Sequence, residues 1–444
     1  MTKTYHIVRH LKQYWYNQAA ATAVAFALVI PVVVGSAGYA VDLSMAHMVK
    51  QRLSHAIDAA ALAAAAMSGT DAEITAKVNQ FFYQNYPLGE VGETYGLTVT
   101  ISGDDLTVSA KADYDTSFAK FLGVDKMTVA SHTTVTREIL GLEVAMVLDV
   151  TGSMSTNNNI GALKTDAQNF LDTICNANRV KDSFGNITSA QCPSLVKMGI
   201  VPFSVTVNVG PYGLGKNPSG TVYDTAFVNN PNAKTFNQGS STQWWGCILE
   251  QAPPNDTKNY ETGWKWDMYK YSSTSPNNGC NKSYILPLTN SYGSIKSKIS
   301  SLYASGNTLS NLGMVWGYRV LSPEAPFREG VAWTDKTVKK VALFMTDGDN
   351  NIGNAYSGYG PQSKYNLTDH DLDVKLATTC QNMKNDGITI YTITFTSGIN
   401  ESTRSYFRNC ASSESKYYNA PTQADLANAF DSIARELSNI HIKY

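Results

Sequence analysis

"LEVAMVLDVTGSMS", residues 142–155, runs from an apolar stretch into a carboxylate and three hydroxyls: Asp149, Thr151, Ser153 and Ser155, each two residues from the next. An apolar run without alternation is the pattern of a strand buried on both faces, as in parallel sheets. The polar tail alone is ambiguous. A serine nucleophile, a phosphate cradle, a metal site and a helix cap would each use some of these residues.

Three further runs share the pattern: "VKMGIVPFS" (196–204), "VKKVALFMTD" (338–347) and "GITIYTITF" (387–395). Helical stretches at 161–175, 294–321, 376–385 and 424–437 separate or follow them. Strand alternating with helix predicts an α/β domain over 141–444, a doubly wound, mainly parallel sheet with its ligand site at the carboxyl ends of the strands. An Asn/Gly/Tyr/Trp-rich insertion, 206–287, interrupts it and contains Trp244, Trp245, Trp264 and Trp266. That segment is too aromatic for disorder. Its indoles either stack on a glycan or lie buried beneath the loop.

The N-terminal third is built differently. No charged residue occurs from 13 to 41, and 19–41 is apolar but for one Thr, one Ser and one Tyr. About 20 such residues cross a bilayer as a helix, and a mid-span Pro31 is tolerable there. Lys3, Arg9 and Lys12 precede the span and Asp42 follows it. The positive-inside rule therefore expects residues 1–18 in the cytoplasm and the bulk of the chain outside, in the periplasm. The apolar run exceeds a signal-peptide core, which favours an anchor over a cleaved signal. The Ala-rich segment 42–70 is expected to continue the helix outward until Gly69. Residues 71–140 read as a small β module: "LTVTIS", "DLTVSAKADY" and "MTVASHTTVTRE" alternate apolar with polar, as an antiparallel meander with Gly103-Asp104 in its first turn.

The totals set limits. Thirty-five basic residues balance 36 acidic ones with no long basic run, which excludes the basic face of a nucleic-acid binder. The six cysteines, Cys175, Cys192, Cys247, Cys280, Cys380 and Cys410, fall by sequence into three local pairs and fit no CxxC metal spacing. Disulfides in an oxidising compartment are the expectation.

Asp149, Thr151 and Ser153 follow one buried strand, Asp347 follows another, and Thr308, in "SGNTLSNLG", opens a helix. In a doubly wound sheet these loops can converge. Two carboxylates with several hydroxyls suit a hard divalent cation, Mg²⁺ first and Mn²⁺ or Ca²⁺ next, and leave it a position for a partner's carboxylate. The alternative is that these residues only cap helices and turns.

D-x-T-G-S, G-N-T and T-D-G, in that order, resemble the metal-ion-dependent adhesion site of von Willebrand factor A domains, with Thr151 where Ser is usual. The resemblance implies that Asp149, Thr151, Ser153, Thr308 and Asp347 hold the ion, directly or through water. "AFALVIPVVVGSAGYAVDL" followed by "RLSHAIDAAALAAA" resembles the N-terminal segment of TadE/TadG-like proteins of the Flp (tight-adherence) pilus system. Segments 287–323 and 380–395 resemble the TadG von Willebrand domain. This implies an inner-membrane protein that assembles or anchors pili through protein partners of the pilus or envelope. Unlike Flp pilins, the span carries no Glu and has no Gly before residue 35, which argues against prepilin-type processing.

Competing motifs fail on chemistry. "GPYGLGKN" (210–217) has Asn217 where a phosphate loop needs Ser or Thr, and Pro218 spoils the next helix, so no nucleotide is expected. "DGDNN" (347–351) places Ile352 where an EF-hand needs Gly. No G-x-S-x-G elbow or partnered His supports a hydrolase, and the expectation is no enzyme. The rival within the binding class is an envelope anchor or surface adhesin whose metal only stabilises the fold.

Overall fold

The computed structural model describes residues 18–441 except 66–70, 88, 90, 103–104, 137–140, 176–179, 182–186, 190–191 and 354–355. Lys3, Arg9 and Lys12, the helix end at Gly69 and the turn at Gly103-Asp104 lie outside the described residues. The chain divides into two compact units, 1–138 and 139–444.

In the first unit, helix α1 (Gln18–Ala65) runs unbroken through Pro31, so the apolar run and the Ala-rich segment are one rod. Residues 22–65 make it long and apolar enough to cross a membrane. Its C-terminal half buries Val49, Leu53, Ile57, Ala60 and Ala64, a 3–4 spacing that gives one apolar stripe. Against that stripe pack helix α2 (Asp71–Asn85), through Ile74, Val78 and Phe82, and a meander of β1 (Glu93–Ser102), β2 (Asp105–Asp115) and β3 (Lys126–Thr136), antiparallel in the order β1-β2-β3. Alternation in β2 turns Leu106, Val108, Ala110 and Ala112 inward. Helix α2 is an element that the reading of 71–140 as a small β module did not include. Acidic residues in its first turn and apolar residues every fourth position are the helical signal there.

The second unit is a six-stranded sheet: β4 (Gly141–Asp149), β5 (Val196–Phe203), β6 (Leu286–Thr289), β7 (Val338–Thr346), β8 (Thr389–Phe395) and β9 (Tyr417–Ala420). The order is β6-β5-β4-β7-β8-β9, with every pairing parallel except the β5–β6 edge. Helices α3 (Asn159–Cys175), α4 (Tyr292–Ser300) and α8 (Gln423–His441) cover one face, through Phe170, Ile295 and Phe430. Helices α5 (Ser310–Leu321), α6 (Asp369–Asn385) and α7 (Glu401–Cys410) cover the other, through Trp316, Leu376 and Phe407. This is the doubly wound α/β architecture. The stretch 294–321, expected as one helix, is two. Residues 301–309 leave helical geometry, with Gly306 at φ +90°, because they must cross the sheet edge.

Disulfides join Cys175–Cys192, Cys247–Cys280 and Cys380–Cys410. The insertion is folded onto the sheet domain. Trp244 and Trp266 are buried, and Glu250 beneath them accepts from Trp266 Nε1 (3.1 Å), Trp316 Nε1 (2.8 Å) and Arg319 Nη1 (2.8 Å). These two indoles are core groups and do not form a glycan platform. The phosphate-loop-like stretch begins as a buried 3₁₀ turn, Gly210–Leu214.

Candidate metal centre

Adjacent strands β4 and β7 end beside one another, with Met345 opposite Leu148. Asp149 and Asp347 therefore emerge at the carboxyl edge of the sheet centre, although 198 residues separate them. Asp149 is buried. Its Oδ1 accepts from Thr151 N (2.8 Å), and its Oδ2 accepts from Thr346 Oγ1 (2.6 Å). Both oxygens are thereby aimed by the chain around them.

Asp347 Oδ1 accepts from Ser153 Oγ (2.6 Å), and Thr151 Oγ1 lies 2.9 Å from Ser153 Oγ. Thr308 reaches the same place from the segment before α5. A Cβ built on Gly348 would sit 3.5 Å from Thr308 Oγ1 and 3.9 Å from Ser153 Oγ. Glycine at 348 thus leaves open a small cradle bordered by both hydroxyls. The approach of the two loops is fixed by Gly152 N donating to Gly306 O (2.8 Å). All five expected residues are brought to this edge. Ser155 stands apart, its Oγ donating to Gly152 O (2.7 Å) as a turn residue.

Burial acts on both carboxylates, and the Asp149 charge acts on Asp347. Burial pushes the Asp149 carboxyl up, against the hydrogen bonds from Thr346 and Thr151. Burial, and then the neighbouring Asp149 charge, push Asp347 up to about 7. Among the described residues no Lys or Arg forms an ion pair with either carboxylate. Two buried acids facing each other without a cation are costly. Nor does any cluster of three His, Cys, Asp or Glu suit a metal among the described residues. The donor set is two carboxylates plus hydroxyls, which fits a hard cation that keeps water and carries residual charge.

Sequence reasoning missed two supports. Thr346 aligns Asp149, and its signal was only its place before Asp347. Asn281, from the insertion, donates through Nδ2 to Val150 O (3.1 Å) and Tyr303 O (2.8 Å), tying the loop after β4 to the one before Thr308. No local pattern marks it.

Residues 19–67 match the model of the Flp pilus-assembly TadE/G-like family. The N-terminal segment is TadE/G-like. No curated protein matches the chain. Among solved structures, the pilus adhesin SpaC from Lactobacillus rhamnosus GG is similar at 13% identity and a TM-score of 0.38, over 80% of this chain and 37% of that one. The von Willebrand domain of the type V pili tip protein Mfa5 from Porphyromonas gingivalis gives 13% and 0.39, over 69% of this chain and 97% of that one. Proximal thread matrix protein 1 of the mussel byssus, described with a zinc-occupied adhesion motif, gives 14% and 0.34, over 68% and 47%. The chain thus spans less than half of the SpaC and byssus proteins. Beyond its TadE/G-like segment lies the mainly parallel α/β unit that carries the candidate site.

Proposed function

We propose that this is a single-span inner-membrane protein whose periplasmic α/β unit binds pilus or envelope proteins through a divalent cation at Asp149, Thr151, Ser153, Thr308 and Asp347. The observation that carries the reading is the convergence, at the carboxyl edge of a parallel sheet, of three hydroxyls and two buried carboxylates that no Lys or Arg pairs with among the described residues. When bound, the ion, with Mg²⁺ the best fit, supplies a Lewis-acidic contact for a partner's carboxylate. The chain does the rest. Thr346 and the Thr151 amide hold Asp149 in place, Asn281 fixes the spacing of two loops, and exposed Ser153 opens the site to solvent. The TadE/G-like match and the apolar helix support the pilus context and the anchor. Binding is favoured over catalysis because the hydroxyl of Ser153 is engaged by a carboxylate and, among the described residues, no His is paired with it.

The test is crosslinking and pull-down from envelopes with Mg²⁺ or chelator, comparing wild type with Asp149→Ala. Capture that needs both the cation and Asp149 supports the reading. Equal capture in chelator refutes recognition through the ion, and a cation-dependent melting temperature with unchanged capture leaves the ion as a rigidifying element.

A further inference from the structure

Between β2 and β3 the chain turns through residues 116–125, with a 3₁₀ turn at Ala119–Leu122. The loop exposes large apolar groups: Phe121 is 81% exposed, Leu122 63% and Phe118 45%. Thr116 Oγ1 fixes its base by donating to Val124 O (2.5 Å). A solvent-facing turn of a periplasmic module has no reason to carry two phenylalanines and a leucine at its tip.

Its position along α1 supplies a reason. The buried carboxylate of Asp42 accepts from the backbone N–H of Ser117 (2.9 Å), Phe118 (2.8 Å) and Ala119 (2.6 Å), and from Tyr114 Oη (3.2 Å). One turn earlier, Phe118 packs against Gly38, where a Cβ would come within 2.7 Å of it. Gly38 and Asp42 are about 6 Å apart along the helix, and they straddle the end of the uncharged run at Val41. The loop is clamped to the rod where an apolar span of this length reaches the headgroups. Tyr39, Val41 and Leu43 continue the exposed apolar surface on α1. Lys120 sits beside the Phe121 ring, 5.6 Å from its centroid. An apolar tip with an aromatic ring and a snorkelling lysine is the composition of an interfacial membrane contact.

We infer that the loop carrying Phe118, Phe121 and Leu122 is a second membrane contact, seated in the outer-leaflet interface beside the span and locked there by Asp42. The occupant of this apolar surface is lipid, because the surface is continuous with the span and lies at its outer end. The inference rests on the anchor reading of α1, and the experiment separates the two.

All six native cysteines are disulfide-bonded, so one introduced cysteine can carry a nitroxide in the full chain reconstituted into phospholipid vesicles. Labels go at Val29→Cys in mid-span, Phe121→Cys and Leu122→Cys in the loop, and Thr134→Cys, exposed near the far end of β3. Relaxation by oxygen reports lipid, and relaxation by a water-soluble nickel chelate reports solvent. The expected result is oxygen dominance at 29, 121 and 122 and nickel dominance at 134, unchanged on diluting protein into lipid. Oxygen dominance at 29 with nickel dominance at 121 and 122 overturns the loop contact and leaves the anchor standing. Nickel dominance at 29 removes both. Shielding at 121 and 122 that disappears on dilution shows a second copy as the occupant and overturns the lipid assignment.

Discussion

Replacing Asp347 with Asn is expected to stabilise the second unit in chelator while abolishing its response to a cation. The Asp347 carboxyl rises from an ordinary value of 3.8 to about 7, through burial and then the Asp149 charge. A raised folded-state value means that the folded form binds more protons than the unfolded one between these limits. Stability is therefore complete below about pH 4 and is lost as pH rises to about 7. At about 1.4 kcal/mol per tenfold change in acidity, the loss is of order 4 kcal/mol. The amide that Asp347→Asn introduces keeps an acceptor for Ser153 and never ionises. In chelator at pH 8 the variant should melt higher by on the order of 5 °C or more, and the gap should close toward pH 4. Millimolar Mg²⁺ should raise the wild type, since a ligand of the folded state stabilises it, and leave the variant unmoved. Near-ultraviolet circular dichroism of the full chain reads this unit selectively, because every tryptophan except Trp15 lies beyond residue 138. Equal melting of the two proteins at pH 8 in chelator would refute the claim that Asp347 is strained by burial beside Asp149.

Other perturbations probe the supports. Glu250→Ala strands the fully buried Arg319 guanidinium and two indole N–H groups, so the urea midpoint should fall by the equivalent of about 3–5 kcal/mol. Glu250→Gln should recover part of that loss. Asn281→Ala should weaken the Mg²⁺-induced rise in melting temperature more than it lowers stability in chelator; equal losses would show a purely structural role. Opening Cys247–Cys280 by a double Ser replacement frees a loop of 33 residues and should cost about 4 kcal/mol, read by urea unfolding under oxidising conditions.

The central strands were legible because they are buried on both faces and so appear as unbroken apolar runs. The helical rod was legible because alanine and an uncharged span leave little else. Strands β6 and β9 were not, because four residues at a sheet edge need no run of their own. The break at 301–309 was written only in Ser305-Gly306-Asn307, a turn signal overridden by the apolar periodicity on either side. The five candidate oxygen donors could be named from three short segments, yet their convergence depends on partners with no local signature. Asn281 comes from the insertion, and the open space at Gly348 is bordered by Thr308 and Ser153, which lie far from one another in sequence.

The pairing of β4 with β7 has a consequence for how the chain acquires its shape. The two strands at the centre of the sheet are joined by residues 150–337, so their pairing is long-range, and topologies built on such pairings fold slowly. A chain emerging N-terminus first presents Asp149, Thr151 and Ser153 long before Asp347 exists to meet them. Two of the three disulfides, Cys175–Cys192 and Cys247–Cys280, lie within that connection and link residues only 17 and 33 apart, so both can close before that meeting and shorten the loop still to be searched. These two disulfides can therefore form early and locally, whereas the proposed cation site assembles late, from segments far apart in the chain. A chain halted before β7 would hold at most two of its three covalent staples and would lack Asp347.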